Sequence, residues 1–213
     1  MEEHHIQVQR SARYFTIGEA GPNLKQVWLV CHGYSQTAKQ FIGYFRVLDD
    51  GSRLIVAPEG LSRFYLDHAT GTIGASWMTR EDRLSEIDDY VRYLDTLHNH
   101  VFHELDRSLV RFVVLGFSQG VATVSRWITS SRVEPDKVIL WGGVIPPDVD
   151  LEASGRRLGE HDLTIVVGDQ DEYADEGSVE EMESRLETSQ VPFSIIRFKG
   201  GHRLDKEVLH VLG

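Results

Sequence analysis

One cysteine, Cys31, stands among 213 residues, so no disulfide can form within the chain and the fold must rest on packing. Positive charge is in deficit. Lys and Arg number 22 against 33 Asp and Glu, and the formal net charge of -11 makes a surface that repels phosphate backbones and anionic lipid headgroups. Nucleic acid is therefore not an expected partner. Long apolar runs are missing too, none approaching the roughly 20 residues that cross a bilayer, so membrane insertion is not expected. The opening Met1-Glu2-Glu3-His4-His5 has neither the basic start nor the apolar stretch of a secretory signal, and the expected location is the cytoplasm. Repeats, a Gly-rich phosphate loop and a dinucleotide fingerprint are likewise lacking, and no cofactor is implied.

What is present is a hydrophobic content of 41%, which suits one large core and a single domain over 1–213. Short apolar, β-rich segments alternate with segments whose apolar residues recur at helical spacing. That order makes an α/β fold with a mostly parallel twisted sheet and helices on both faces. Strands are predicted over 27–31, 54–57, 109–115, 137–142, 163–168 and 193–198. The opening differs: Ile6-Gln7-Val8 and Tyr14-Phe15-Thr16-Ile17 read as an N-terminal antiparallel hairpin. Helical faces follow at Phe41, Phe45 and Leu48, at Val121, Val124 and Ile128, at Val179, Met182 and Leu186, and over 204–212. The longest runs through Leu84, Ile87, Val91, Leu94, Leu97 and Val101, preceded by Thr79-Arg80-Glu81-Asp82, which resembles a capping box.

The chemistry gathers around Gly116-Phe117-Ser118-Gln119-Gly120. It lies between a buried strand and a helix, the context of a nucleophile elbow, where the chain turns sharply to lift a serine oxygen clear of the backbone. Three fixed positions of this kind recur by chance in about one chain of this length in fifteen, and a bland alternative exists in which Ser118 only caps the helix. The surrounding order of residues decides the matter. A serine hydroxyl needs a histidine base and a carboxylate to orient it. In a doubly wound sheet both belong just past the carboxyl ends of strands. Asp169 or Asp171 follows one predicted strand, and His202, after Gly200-Gly201, follows the next. Ser118, Asp171, His202 is the chain order of the α/β-hydrolase arrangement. Two backbone amides would complete an oxyanion hole, that of Gln119 at the helix start and that of Tyr34 in the loop after Cys31-His32-Gly33. His32 itself reads as a packed core histidine.

The segments Cys31-His32-Gly33-Tyr34, Ala57-Pro58-Glu59-Gly60, Gly116-Phe117-Ser118-Gln119-Gly120, Gly168-Asp169-Gln170-Asp171 and Gly201-His202 together resemble the phospholipase/carboxylesterase group of the α/β-hydrolase superfamily, which includes small carboxylesterases and acyl-protein thioesterases. The likeness spans nearly the whole chain. It implies an α/β-hydrolase fold and a carboxylesterase or thioesterase acting on a small-molecule ester or thioester. Ser118 would be the nucleophile, His202 the base and Asp171 the orienting acid, with Tyr34 and Gln119 at the oxyanion positions. The chain departs from the group at Ser35, where a second glycine is common.

The stretch 59–78 matches no motif. Phe64, Tyr65, Trp77 and Met78 in it are candidates for an acyl pocket or cover, against a plain reading as a packed loop with buried aromatics. The connection 144–162 is short for a folded lid, so an open site for small to medium acyl groups is expected. His98, His100 and His103 lack a carboxylate set of metal-binding geometry, and no metal site is expected. A peptidase or a dienelactone-type hydrolase on the same scaffold, or a silent hydrolase-fold binding protein, remain the alternatives.

Overall fold

The computed structural model describes residues 1–153 and 155–213. Seven strands form the central sheet: β1 (Tyr14–Ile17), β2 (Gln26–Cys31), β3 (Arg53–Pro58), β6 (Arg111–Phe117), β7 (Lys137–Trp141), β8 (Asp162–Gly168) and β9 (Ser194–Phe198). Their order is β1-β3-β2-β6-β7-β8-β9. From β3 to β9 every pairing is parallel, and β1 closes one edge antiparallel to β3.

Parallel strands buried on both faces read as continuous apolar runs, which is why these segments stand out in the sequence. Alternate residues supply two separate cores. Val27, Leu29, Phe112 and Val114 point to the face covered by α2 (Arg83–Phe102), α3 (Gln119–Ser130) and α5 (Glu176–Thr188), through Leu94, Trp127 and Met182 among others. Trp28, Val30, Val113 and Leu115 point to the face covered by α1 (Ala38–Phe41), a 3-10 helix (Ile42–Leu48) and α6 (Lys206–Leu212). A further short helix, α4 (Gly155–Gly159), lies in the connection from β7 to β8.

Two local expectations change. The opening is antiparallel, but β1 takes β3 as its partner and residues 6–8 form no strand. Ile6 and Val8 stay exposed, since a three-residue alternation between polar neighbours buries too little apolar surface to offset the entropy of ordering it. The Thr79-Arg80-Glu81-Asp82 box does not form either. Asp82 adopts a left-handed conformation and caps nothing with its side chain. Glu86, one turn into α2, reaches back instead to accept from the Thr79 amide and hydroxyl, and its other oxygen accepts from Ser62 Oγ.

The segment 59–78 folds as a hairpin of β4 (Ser62–Asp67) and β5 (Thr72–Ser76), separate from the main sheet. Asp67 makes its turn, accepting from the Ala69 amide and the Thr70 hydroxyl, and Gly71 takes a positive φ that suits glycine.

Candidate active site

The carboxyl ends of β6, β8 and β9 bring Ser118, Asp171 and His202 together. Ser118 sits between β6 and α3 with φ 55 and ψ -116, a backbone conformation costly for any residue but glycine. Its side chain makes no hydrogen bond to the helix it precedes, so it does not act as a cap. The hydroxyl lies 2.9 Å from His202 Nε2. The turn is possible because its flanks carry no side chains: a Cβ on Gly116 would fall 2.3 Å from the Gly120 carbonyl oxygen, and one on Gly120 would fall 2.2 Å from that of Cys31.

The other edge of the imidazole meets the carboxylate. His202 Nδ1 is 3.0 and 2.9 Å from the two oxygens of Asp171. With the Nδ1 proton directed at the carboxylate, Nε2 is left as the acceptor for the serine hydroxyl. Asp171 is itself fixed, for Oδ1 also accepts from the amides of Tyr173 and Ala174 at 2.9 and 3.0 Å. The other candidate acid, Asp169, does different work. Its Oδ1 accepts from the Gly200 amide, and with the Gln170 amide donating to the Gly200 carbonyl it laces the acid loop to the histidine loop.

Tyr34 and Gln119 flank the same serine. The loop after β2 lies against the elbow, since a Cβ on Gly33 would come within 3.0 Å of Ser118 Cβ. The amides of Tyr34 and Gln119 donate to no acceptor among the described residues. Ser35, where the resembled group commonly has glycine, takes φ 67, the region in which a side chain is disfavoured. Beneath the loop, His32 is fully buried. Its Nδ1 donates to the Gly33 carbonyl, its Nε2 accepts from the Gly60 amide, and burial holds its pKa below the ordinary histidine value.

The Gln119 side chain makes a connection that the motif alone does not reveal. Its Oε1 accepts from the Trp77 amide at 3.1 Å, while Nε2 donates to Ser76 Oγ and the Met78 carbonyl. Trp77 Nε1 in turn donates to the His32 carbonyl, and the Ser35 amide donates to Ala75. The end of the hairpin thus ties together both loops that carry the free amides. Among the candidate pocket residues, Phe64 stacks on Tyr34 at 5.4 Å, and Tyr65 lies tilted against His68. Successive strand residues face opposite ways, so Phe64 and Tyr65 do not share a wall. Trp77 is 1% exposed and belongs to the core, and half-buried Met78 packs against it with Sδ near Arg126.

A cavity of about 920 Å³ lies elsewhere, between the N-terminal segment and α2, with Tyr14, Ser62, Asp89 and Arg92 in its lining and none of Ser118, Asp171 or His202. Among the described residues, the side chains that could reach a common metal ion are Glu3, His5 and Asp82, all exposed. No helix among the described residues is long and apolar enough to cross a membrane.

Sheet order, elbow and strand-end loops define an α/β-hydrolase fold. No family model matches the chain, and no curated protein matches its sequence. Solved structures do. Zea mays acyl-protein thioesterase 2 superposes with a TM-score of 0.73 at 16% identity, over 95% of this chain and 98% of that one. Esterase PE8 gives 0.69 at 18% identity, over 95% and 96%, and the Bacillus cereus carboxylesterase 0.65 at 14%, over 94% and 91%. At these identities the likeness carries the fold.

Proposed function

We propose that the chain is a serine hydrolase of carboxylic esters or thioesters with small to medium acyl groups, working through an acyl-enzyme. The observation that carries this reading is His202, hydrogen-bonded to Ser118 through one nitrogen and to Asp171 through the other. Ser118 Oγ attacks the carbonyl carbon as His202 Nε2 takes its proton, and the carbonyl oxygen becomes an oxyanion held by the Tyr34 and Gln119 amides. When the intermediate collapses, the bond to the leaving oxygen or sulfur breaks and that atom takes the proton from Nε2. Water then repeats the sequence on the acyl-enzyme and frees the acid. Asp171 holds the imidazole in the productive tautomer and stabilises the imidazolium.

The acyl group lies by this reading toward Phe64 and Met78. The acidic surface and the single, buried Cys31 favour a reducing cytoplasm, with a small molecule rather than nucleic acid as substrate.

A chain-length series of activated esters, run with thioesters, lactones and peptides on the native protein and on Ser118→Ala, tests the proposal. Turnover of short and medium esters or thioesters is expected, with a loss of at least about ten-thousandfold in the variant. Preference for peptides or lactones would point to a peptidase or dienelactone-type enzyme. Failure on every class would leave a binding protein, and turnover retained in Ser118→Ala would defeat the mechanism.

A further inference from the structure

His202 is in contact with two aromatic rings of unlike character. Phe117 packs on it at 4.9 Å from within the sheet core and is 5% exposed. Tyr173 packs on it at 4.7 Å with an interplanar angle of 52° and is 73% exposed. The backbone of Tyr173 is anchored, because its own amide and that of the buried Ala174 both donate to Asp171 Oδ1. Its ring has no hydrogen-bond partner among the described residues. A fixed backbone therefore carries a ring that touches the imidazole and leaves most of its surface to solvent.

The path of the proton says what lies beside that ring. The atom that departs must come within hydrogen-bond reach of His202 Nε2 to collect the proton taken from Ser118. The oxyanion occupies the amides of Tyr34 and Gln119, and the Tyr34–Phe64 stack borders that side. The alcohol or thiol portion of the substrate is left against His202 and the ring lying on it. We infer that Tyr173 forms the leaving-group subsite and selects esters and thioesters whose alcohol or thiol carries a planar, apolar group. The inference rests on the proposed hydrolase reading and adds the substrate's second half to it. Contact between aromatic rings corresponds to a preference of about three- to tenfold.

Benzyl and ethyl esters of one short acid share an acyl-enzyme and differ only in what leaves. Tyr173→Ala is expected to lower the benzyl-to-ethyl ratio of kcat/KM about three- to tenfold. Tyr173→Phe should keep the benzyl preference. Breakdown of the common acyl-enzyme and the pH profile of ethyl ester hydrolysis should be unchanged in Tyr173→Phe, which keeps a ring on His202. An equal fall on both esters, or a displaced pH profile in Tyr173→Phe, would overturn the subsite and make Tyr173 a support for His202. Activity that survives in Ser118→Ala would instead overturn the hydrolase reading and the subsite with it, so the two failures are told apart.

Discussion

The strand-end loops of β6, β8 and β9 and the hairpin β4–β5 border the same serine and are constrained to very different degrees. On the loop side, backbone carbonyls pack where glycine side chains would be, the acid is held by two amides, and Asp169 and Gln170 stitch one loop to the next. On the hairpin side, Tyr65, Leu66 and Ile73 stand exposed, and contact with the elbow passes mainly through one carboxamide, that of Gln119. The reacting atoms are thus over-determined, while the hairpin surface on the acyl side is lightly held. Chemistry of this kind tolerates little movement, whereas substrate choice can drift with a few exposed side chains.

Changes on each side should differ in size accordingly. Asp171→Asn, which keeps the shape but removes the charge that fixes the imidazole tautomer, is expected to lower kcat about ten-thousandfold in steady-state ester hydrolysis. A loss below tenfold would mean that the tightly held side is not the reacting side. Gln119→Ala leaves its backbone amide in place and cuts the tie to Ser76, Trp77 and Met78. We expect kcat to fall about ten- to a hundredfold with KM within about twofold, because the displaced amides serve the intermediate more than the bound substrate. An unchanged kcat would show that the hairpin does not steady the oxyanion loops.

Stability offers two finer probes. His32 lies between the two regions and is buried with its pKa depressed, as are the partly buried His98 and His161 in the same direction. The unfolded chain binds these protons near pH 6.5 while the folded chain resists them, so stability should fall as pH drops below about 6.5. The slope is at most about 1.4 kcal/mol per pH unit for each such histidine and ends at its folded pKa. Urea midpoints at pH 7.5 and 5.5 measure it, and equal midpoints would contradict a neutral buried His32. The smallest effect concerns the elbow. Ser118→Gly and Ser118→Ala both lack the hydroxyl, but only glycine relaxes at φ 55, so the glycine variant should be the more stable by about 1 kcal/mol. A lower urea midpoint for glycine than for alanine would remove the case for strain at this turn.

The same contrast governs what can be read without coordinates. The strands from β2 through β9 of the main sheet are legible because burial on both faces demands apolar runs, and Gly116 and Gly120 because nothing larger fits. Asp169 and Asp171 both follow β8, so the residues alone leave the acid open; the resemblance points to Asp171, and in the fold Asp171 meets the imidazole while Asp169 holds the Gly200 amide. The hairpin was hidden by its mixed polar and apolar strands, although Asp67 and Gly71 mark its turn. The Tyr173 ring on His202 joins two loops far apart in the chain, and no local pattern announces such a contact.

Intact-mass and peptide mapping after exposure to a fluorophosphonate probe the central claim most directly. The account predicts a single adduct on Ser118 that is absent from Ser118→Ala and forms far more slowly in Asp171→Asn. A protein that hydrolyses esters while Ser118 stays unmodified, or that carries the label on another residue, would contradict it.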